Sequence, residues 1–361
     1  MRAAVWHGAG DIRVEDWPEP TSPGPGEALV EVLLAAICGT DLAEYRDGPH
    51  MIPVTRPHRL TGRRAPIVLG HEYVGRVLEV GEGVDTVRPG DRVCGDACLR
   101  CHRCRWCQRG EYNVCRLGAS VGLHADGAFA DRLLVPAYTL EPVPEVVADR
   151  WAAVTEPLAV GLHAVAQGRL QPGDTTVVIG YGMIGAAVAC MARAAGAGQV
   201  LVLEPRPSRR ELALGMGARE TFDPGRVDAR REILGRTGAV GADLVVDCTG
   251  DPEAFSLAVE LSRRGGTVVL CGIGHRPASV GLDRLVYFER RVVGALGYRF
   301  DHRRVLSLMA DGRVNPDPLL GAAVDLERIV PEGFERMLHD PEAPLRVLVS
   351  PSPARAGGGS R

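Results

Sequence analysis

The segment TTVVIGYGMIGAAVACMA, residues 175–192, constrains the fold more than any other part of the chain. It opens with a β-branched apolar run, passes through three spaced glycines and continues with small apolar residues. This order is typical of a strand, a tight turn and a helix that packs closely on the strand. Although its eighteen residues carry no charge, the glycines and the β-rich start favour this interpretation over a membrane span.

Strands and helices alternate through the residues that follow. The strand-like runs QVLVLE, ADLVVDCTG and GTVVLCGI are separated by the helix-like stretches SRRELALGMG and PEAFSLAVELSRR. Alternation of this kind predicts a parallel, doubly wound sheet. The pattern begins at QPGD, residues 171–174, and becomes irregular after about residue 295.

The first half of the chain has a different pattern. Short β-type segments such as EALVEVLLAAI, EYVGRVLEVG and FADRLLVPA are separated by turns such as SPGPGE and VRPGDR. Frequent Gly and Pro between short strands predict a compact, barrel-like β domain. The length of 361 residues is sufficient for two domains. The expected fold class is therefore α/β, with a β-barrel domain and a Rossmann-type doubly wound domain.

The composition argues against several classes of function. The formal net charge is −3, and we expect no nucleic-acid partner and no membrane partner. All 42 residues counted as Lys or Arg are Arg, which excludes a lysine Schiff base, a Walker A lysine and a Tyr–Lys dyad. Ten cysteines without an apolar export signal predict a reducing, cytoplasmic location, where metal binding is favoured over disulfides.

Five cysteines crowd the stretch CLRCHRCRWCQRGEYNVC, residues 98–115. The spacing C-x2-C-x2-C-x7-C selects four of them, because counting from Cys98 places Tyr112 at the last position. Four thiolates in a short lobe, about residues 94–116, can surround Zn²⁺ and leave no open coordination position. The spacing therefore predicts a structural zinc site whose ligands are Cys101, Cys104, Cys107 and Cys115.

Two other interpretations of this lobe are an iron–sulfur cluster and a set of free or disulfide-bonded cysteines. The C-x2-C-x2-C-x3-C spacing of an iron–sulfur site requires a cysteine where Glu111 stands, counting from Cys101, or where Gln108 stands, counting from Cys98. That spacing is therefore not met. Because a closed zinc site performs no chemistry, we expect the catalytic groups elsewhere.

A second group of metal-binding residue types is spread along the chain. The segments ICGTD, LGHEYVGRVLEVGEGV and TEPLAVGLHAV contain Cys38, His71 and Glu156, each of which is weak evidence when taken alone. Together, one thiolate, one imidazole and one carboxylate leave a fourth zinc position for water or substrate. That is the arrangement of a catalytic site.

In this order, the pieces CGTD, GHEYVGRVLEVGEGV, the four-cysteine lobe, EPLAVGLHAV and GYGMIG resemble the zinc-dependent medium-chain alcohol/polyol dehydrogenases. CGTDLAEYRDGPHMIP followed by PHRLTGRRAPIVLGHE most resembles the 2,3-butanediol dehydrogenase-like branch. The resemblance implies four regions, which are a GroES-like catalytic domain at 1–156, an NAD-binding Rossmann domain at 157–295, a return to the catalytic domain at 296–351 and a disordered tail at 352–361.

The resemblance also implies a ligand set for the catalytic zinc. Cys38, His71 and Glu156 correspond to the family's ligands, and Glu72 to a fourth or alternating ligand. Asp41 would orient a ligating group from outside the coordination sphere. Together with the four-cysteine lobe, this predicts two zinc ions per chain.

Thr40 is the predicted proton-transfer residue, because a hydroxyl both accepts and donates a proton. The alternative is a Thr that only caps a helix. The resembled branch commonly has His where this chain has Ala43, so the proton path is shorter, uses water, or uses His50 or His58. These two histidines lie in the insertion at 46–66, which we expect to line the substrate site.

The motif G-x-G-x-x-G at Gly180, Gly182 and Gly185 predicts a dinucleotide site, with the pyrophosphate at the helix N-terminus. Glu204 ends the next strand-like run and would bind the ribose hydroxyls, which favours NAD over NADP. Arginines at 206, 209 and 210 could instead accommodate a phosphate. Met183, Ile184 and Arg209 are further predicted cofactor contacts. The family resemblance also implies that Cys248, Thr249, Cys271 and Ile273 lie beside the cofactor.

These features predict an NAD-linked oxidoreductase that transfers a hydride between a secondary alcohol, of the diol or hydroxyketone kind, and nicotinamide. An alternative substrate class is a sugar, cyclitol or amino alcohol of a specialised biosynthetic pathway. A different class of function is a dinucleotide-binding sensor without catalysis. By analogy with the family, we expect a homodimer or homotetramer that binds a small alcohol or ketone.

Overall fold

A computed structural model describes residues 1–351 and divides the chain into two compact units. The first unit is Met1–Glu156 together with the chain from His302 onwards, and the second is Pro157–Asp301. The second unit thus ends at Asp301, beyond the boundary expected at residue 295. A carboxylate oxygen of Asp301 lies 3.5 Å from Nδ1 of the buried His163, which ties this end to the second unit. The tail at 352–361, for which disorder is predicted, lies outside the described residues.

The first unit consists mainly of short strands, as the sequence predicts. Its strands are β1 (Arg2–Gly8), β2 (Asp11–Asp16), β3 (Glu27–Ala36), β4 (Ile67–Val68), β5 (Glu72–Val80), β6 (Arg92–Gly95), β7 (Cys98–Leu99), β8 (Ala119–Ser120), β9 (Arg132–Pro136), β10 (Leu140–Pro142), β17 (Leu320–Asp325) and β18 (Arg346–Ser350). Its helices are α1 (Gly39–Asp47), α2 (Arg105–Gln108), α3 (Asp149–Ala152), α10 (His302–Ala310) and α11 (Glu335–His339).

A seven-stranded sheet forms the centre of this unit. Its order is β10-β6-β5-β3-β18-β17, and β9 also pairs with β3. Strand β3 pairs antiparallel with β5 and with β18, so that Ala36 lies opposite both Glu72 and Leu348. The end of β3 therefore collects residues from three distant parts of the chain.

The second unit is a parallel sheet of six strands in the order β13-β12-β11-β14-β15-β16. The strands are β11 (Thr175–Ile179), β12 (Gln199–Leu203), β13 (Glu220–Phe222), β14 (Ala242–Asp247), β15 (Ser262–Leu270) and β16 (Arg291–Gly294). The helices are α4 (Thr155–Gly168), which begins at the unit boundary, α5 (Met183–Ala194), α6 (Pro207–Gly215), α7 (Ala229–Arg236), α8 (Pro252–Leu261) and α9 (Leu282–Val286). This strand order is that of the Rossmann fold, and it confirms the predicted α/β class.

The uncharged segment at 175–192 is divided between strand β11 and helix α5, as predicted. Val177, Ala187 and Val188 are fully buried in this strand–helix unit. Among residues 1–351, none of the helices combines the length and the apolar character that a membrane crossing requires.

Candidate active site

Cys38, His71 and Glu72 bring their metal-binding atoms within 4.8 Å of one another. Cys38 is the N-cap of α1, two residues after the end of β3, and Glu72 is the first residue of β5. Gly70 precedes His71 with φ +94, and a Cβ at this position would lie 2.7 Å from the ring of Phe129. Only glycine fits this turn, which brings the His71 ring to the end of β3.

Asp41 connects two members of this group. One carboxylate oxygen, Oδ2, accepts a hydrogen bond of 2.9 Å from the backbone N–H of Cys38. The other, Oδ1, faces Nδ1 of His71 at 3.5 Å, and both atoms are buried without a hydrogen bond in the described chain. Burial lowers the pKa of His71, but Asp41 and Cys38 outweigh it, so this pKa lies well above its usual range. The ring therefore lies in a site that favours a positive charge.

The residues of this group fit zinc. Thiolate, imidazole and carboxylate are the donors that zinc prefers. Burial and the Glu72 carboxylate raise the pKa of the Cys38 thiol, whereas zinc binding requires the thiolate, so metal binding would release this proton. With Nδ1 of His71 turned toward Asp41, the other ring nitrogen is available to a metal.

Arg346, which the sequence analysis did not identify, occupies the other side of the group. Its Nε donates to Oε2 of Glu72 at 2.8 Å, and its Nη2 donates to Oε1 at 2.9 Å. Nη2 also lies 3.7 Å from Sγ of Cys38. Burial lowers the pKa of Arg346, but Glu72 and Cys38 have the larger, opposite effect, so the pKa of Arg346 lies above its usual value. Both oxygens of Glu72 are thus held by a buried cation.

Glu156 lies in the first turn of α4 and is half-buried. Within residues 1–351 it does not belong to the group of Cys38, His71 and Glu72. Its charge nevertheless contributes to raising the pKa of Arg346. The assignment of Glu156 as a zinc ligand therefore stays a prediction.

Thr40 lies beside the thiol of the group, with Oγ1 3.8 Å from Sγ of Cys38. Since the N-cap of α1 is Cys38, Thr40 is a residue of the first helical turn. The two histidines of the insertion have other partners. His50 Nε2 lies 2.9 Å from a carboxylate oxygen of Asp47, and the ring of His58 packs edge-on against His124 with a centroid distance of 4.6 Å.

The four-cysteine lobe has the geometry of a closed tetrahedral site. The Sγ–Sγ distances are 3.5 Å between Cys104 and Cys107, 3.5 Å between Cys101 and Cys115, 3.8 Å between Cys104 and Cys115, and 4.0 Å between Cys101 and Cys107. A tetrahedron with Zn–S bonds of about 2.3 Å has edges of about 3.8 Å. Cys98 begins β7 and is not part of this group of four among the described residues.

The glycine motif forms the predicted turn between β11 and α5. Gly180 has φ +84, and a side chain at Gly185 would collide with the carbonyl oxygen of Gly180. Gly182 is the N-cap of α5, so the first backbone N–H groups of the helix are available to an anion. Met183 and Ile184 are the first two residues of that helix.

Glu204 follows β12 and is buried beside the motif. Its Oε2 accepts from the backbone N–H of Tyr181 at 2.7 Å, and its Oε1 accepts from that of Arg206 at 2.9 Å. Arg209 lies close to Gly182, with Nη1 3.8 Å from the point that a Cβ would occupy there. Burial and the charge of Arg206 lower the pKa of Arg209.

The other predicted cofactor contacts lie at the carboxyl ends of neighbouring strands. Cys248 and Thr249 follow β14, and Cys271 follows β15. A hydrogen bond with the thiol of Cys271 raises the pKa of Cys248 well above its usual range. Ile273 is 75% exposed. In a doubly wound sheet, this edge is where ligands bind.

The fold and these sites define a class of protein, the zinc-dependent alcohol dehydrogenases. Residues 24–145 match the family described as alcohol dehydrogenase GroES-like domain, and residues 184–311 match the family described as zinc-binding dehydrogenase. The chain is 36% identical over 354 residues to (R,R)-butanediol dehydrogenase of Bacillus subtilis (strain 168). The alignment covers 98% of this chain and 100% of the relative.

Solved structures agree with this assignment. The crystal structure of 2R,3R-butanediol dehydrogenase from Bacillus subtilis superposes with a TM-score of 0.92 at 35% identity, covering 97% of this chain and 99% of that one. A zinc-binding dehydrogenase from Sinorhizobium meliloti 1021 bound to NADP gives a TM-score of 0.86 at 32% identity, with the same coverage. The chain belongs to the zinc-dependent medium-chain alcohol dehydrogenase family, in its butanediol dehydrogenase-like branch. It is an alcohol oxidoreductase that uses zinc and a nicotinamide cofactor.

Proposed function

We propose that this enzyme interconverts a secondary alcohol of the diol type and the corresponding hydroxyketone, with NAD as the cofactor. The observation that carries the proposal is the convergence of Cys38, His71 and Glu72 within 4.8 Å, although His71 lies far along the chain from Cys38. The activity named for the Bacillus subtilis relative favours a diol over a sugar, cyclitol or amino alcohol. The presence of all the proposed ligands argues against a non-catalytic sensor.

Two zinc ions per chain are part of the proposal. One would be held by Cys101, Cys104, Cys107 and Cys115, and the other by Cys38, His71 and Glu156, with Glu72 as a fourth or alternating ligand. When bound at the second site, zinc supplies a Lewis acid that lowers the pKa of a substrate alcohol.

The chain's own residues then orient the site and move the proton. Asp41 fixes the ring of His71 through Nδ1 and fixes the start of α1 through the N–H of Cys38. Thr40, beside the Cys38 thiol, would accept the proton of the substrate hydroxyl on its own hydroxyl oxygen while it passes its own proton to a water molecule. The carboxyl edge of the parallel sheet, where Thr249 adjoins Gly180, would hold the nicotinamide cofactor, which would supply the hydride acceptor.

The preference for NAD rests on Glu204. Its buried carboxylate lies beside the glycine turn, where it would accept hydrogen bonds from ribose hydroxyls and repel a 2′-phosphate. NADP is bound by the Sinorhizobium meliloti relative, and the nearby Arg209 is the residue here that would favour it. We assign NAD because Glu204 is the more deeply buried of the two charges.

A homodimer or homotetramer is also proposed. Strand β16 is the edge of the six-stranded sheet, and an edge strand can pair with another chain. Large apolar side chains that are at least 70% exposed lie close by in sequence, namely Ile273, Leu282, Val286 and Tyr287. A cytoplasmic location stays a prediction from the cysteine content.

The test combines metal analysis with a substrate panel. Diols, polyols, cyclitols and amino alcohols are assayed by NADH absorbance, and zinc is counted per chain. We expect two zinc ions and highest kcat/KM for a vicinal diol. One zinc ion and no alcohol-dependent NADH formation would support the sensor instead.

A further inference from the structure

Two thiols lie side by side at the carboxyl edge of the six-stranded sheet. Strands β14 and β15 are parallel, and Asp247 lies opposite Leu270 in the last pair of their register. Cys248 and Cys271 each follow a member of that pair by one residue. The backbone N–H of Cys271 donates to the carbonyl oxygen of Asp247 at 2.8 Å, so the ladder continues to this point. The two cysteines are therefore neighbours across the two strands.

The spacing of the strands suits a disulfide between these cysteines. Neighbouring strands lie about 4.8 Å apart, and the Cα atoms of disulfide-bonded cysteines usually lie about 4.4–6.8 Å apart. Because side chains alternate between the two faces along a strand, residues that each follow a registered pair by one position emerge on the same face. Both cysteines are free thiols, and a hydrogen bond with Cys271, together with burial, raises the pKa of Cys248 well above its usual range. The two sulfur atoms therefore face each other in the reduced protein.

The backbone just beyond the thiols is packed equally closely. A side chain at Gly272, next to Cys271, would collide with the backbone nitrogen of Gly250, and one at Gly274 would collide with the carbonyl oxygen of Gly250. The connections that follow β14 and β15 thus touch through their backbones, which only glycine allows. This contact holds the two cysteines at a fixed separation.

The connection after β14 also touches the dinucleotide turn. Thr249 follows Cys248, and its Cγ2 lies 2.7 Å from the point that a Cβ at Gly180 would occupy. The backbone N–H and the hydroxyl of Thr249 both donate to Oδ1 of Asp247, at 2.8 Å and 2.6 Å. A displacement of Cys248 would therefore be passed to Thr249 and to the turn. Because Cys248 and Cys271 are only half-buried, a small oxidant can reach them.

We propose that Cys248 and Cys271 form an oxidation site, at which a peroxide converts the two thiols into a disulfide that weakens binding of the cofactor. Two thiols and one molecule of hydrogen peroxide give one disulfide and two molecules of water. Thiols can reverse this reaction, so in a reducing compartment the disulfide would be transient. The proposal rests on the proposed function, since it assumes that the cofactor binds at this edge of the sheet.

The two sulfur atoms have different roles in the reaction. Because its raised pKa keeps the proton on Cys248, the sulfur of Cys271 attacks the peroxide as its thiolate. The O–O bond breaks, one oxygen forms the sulfenic acid of Cys271, and the other leaves as hydroxide and takes up a proton to become water. The sulfur of Cys248 then attacks the sulfenic sulfur, the S–O bond breaks, and the hydroxyl leaves as water with the Cys248 proton. The new S–S bond of about 2.05 Å is shorter than a non-bonded sulfur contact, so it draws the ends of β14 and β15 together.

The test treats the full-length protein with hydrogen peroxide, locates disulfides by peptide mass spectrometry and measures the Kd of NADH by fluorescence titration. We expect a disulfide between Cys248 and Cys271 and a Kd that rises about tenfold or more. Dithiothreitol should restore the original Kd, and NADH present during the treatment should slow formation of the disulfide. Cofactor affinity is the chosen measurement because oxidation of the cysteines in the first unit would also lower the activity.

Each variant is compared with its own Kd before oxidation, so that any direct effect of a substitution on the cofactor site cancels. Cys271→Ser should keep its Kd after peroxide treatment. The matched control is Cys190→Ser, which removes a half-buried thiol of α5 in the same unit and should lose affinity for NADH as the unmodified protein does. Cys248→Ser should accumulate the sulfenic acid of Cys271, which dimedone labels, and it replaces Cys271→Ser if that variant fails to fold.

Two results would overturn the proposal. One is the absence of a Cys248–Cys271 disulfide in the treated, unmodified protein, and the other is a disulfide that leaves the Kd of NADH unchanged. Failure of the reduced, unmodified protein to bind NADH would instead contradict the proposed function, and the oxidation site would lose its role with it.

Discussion

The carboxylate of Asp41 lies 3.5 Å from Nδ1 of His71 while its second oxygen holds the backbone N–H of Cys38. A single buried side chain thus orients two candidate zinc ligands, one through its ring and one through the start of its helix. Carboxylates that face the outer nitrogen of a ligating histidine fix the ring and increase its basicity.

Replacing Asp41 by Asn should weaken binding of the catalytic metal about 10–100-fold. Asn keeps an oxygen for the Cys38 N–H, so α1 should still begin at the same residue, but the negative charge facing His71 is lost. Competition with a chelator measures the affinity. Asp47→Asn, an exposed position on the same helix, is the control. Equal metal affinity in the Asp41 and Asp47 variants would contradict this role.

Thr40→Val should lower kcat at neutral pH by about 100-fold or more while zinc stays bound, because general acid–base catalysis by one residue contributes about that much. Thr40→Ser keeps the hydroxyl and should keep most of the activity. Both variants are compared by steady-state kinetics after zinc has been counted. Unchanged turnover in the valine variant would remove Thr40 from the mechanism.

Glu204→Gln should raise the kcat/KM ratio of NADP to NAD by about tenfold or more, since removing one charge near a 2′-phosphate relieves at least about 1.4 kcal/mol of repulsion. Gln keeps one oxygen for the backbone N–H of Tyr181 or Arg206. Glu211→Gln removes an exposed charge on α6 and serves as the control. A ratio that does not move would show that Glu204 does not select the cofactor.

The four-cysteine lobe can be tested with two serine variants. Cys104→Ser should lose one zinc ion and lower the free energy of unfolding by about 4 kcal/mol or more, with activity falling as a consequence. Cys98→Ser should retain the full zinc content, because Cys98 lies outside the group of four. Zinc analysis and denaturant unfolding provide the measurements. A folded, fully active Cys104→Ser protein with an empty lobe would refute a stabilising role.

The pair His58 and His124 should make stability depend on pH. Burial, with a smaller effect of His58, lowers the pKa of His124 from 6.5 to about 4. Between these values the unfolded chain binds a proton that the folded chain does not, so stability falls as the pH falls below 6.5. One such group accounts for about 2 kcal/mol at about pH 5.

His124→Asn keeps an acceptor for the Ser120 N–H, which His124 now binds through Nδ1 at 3.1 Å, and it does not titrate. Urea unfolding at neutral pH and at about pH 5 should therefore show a smaller acid loss in this variant than in the unmodified protein. His339→Asn, at an exposed histidine, should leave the loss unchanged. An equal acid loss in all three proteins would rule out the His124 contribution.

Local patterns were enough to predict much of this molecule. The parallel sheet follows from alternating apolar runs, because each strand of such a sheet is buried on both faces. The glycine turn at 180–185 and the four-cysteine lobe follow from spacing, since all their groups lie within a few residues of one another. The positions of Cys38 and His71 as metal-binding candidates follow from their residue types and from the family resemblance.

The partner of Glu72 could not be predicted in this way. Arg346 lies 274 residues from Glu72 along the chain, in a short strand with no distinguishing motif. Only the antiparallel pairing of β18 and β5 on either side of β3 brings the two together.

The order and type of the residues thus determined by themselves the fold class, the dinucleotide turn and the closed thiolate lobe, because each depends on groups that are near neighbours in the chain. Tertiary structure alone decided which buried charges face the open metal group. Such contacts depend on strand register, and a shift of one residue would turn the side chain of Arg346 to the opposite face of the sheet.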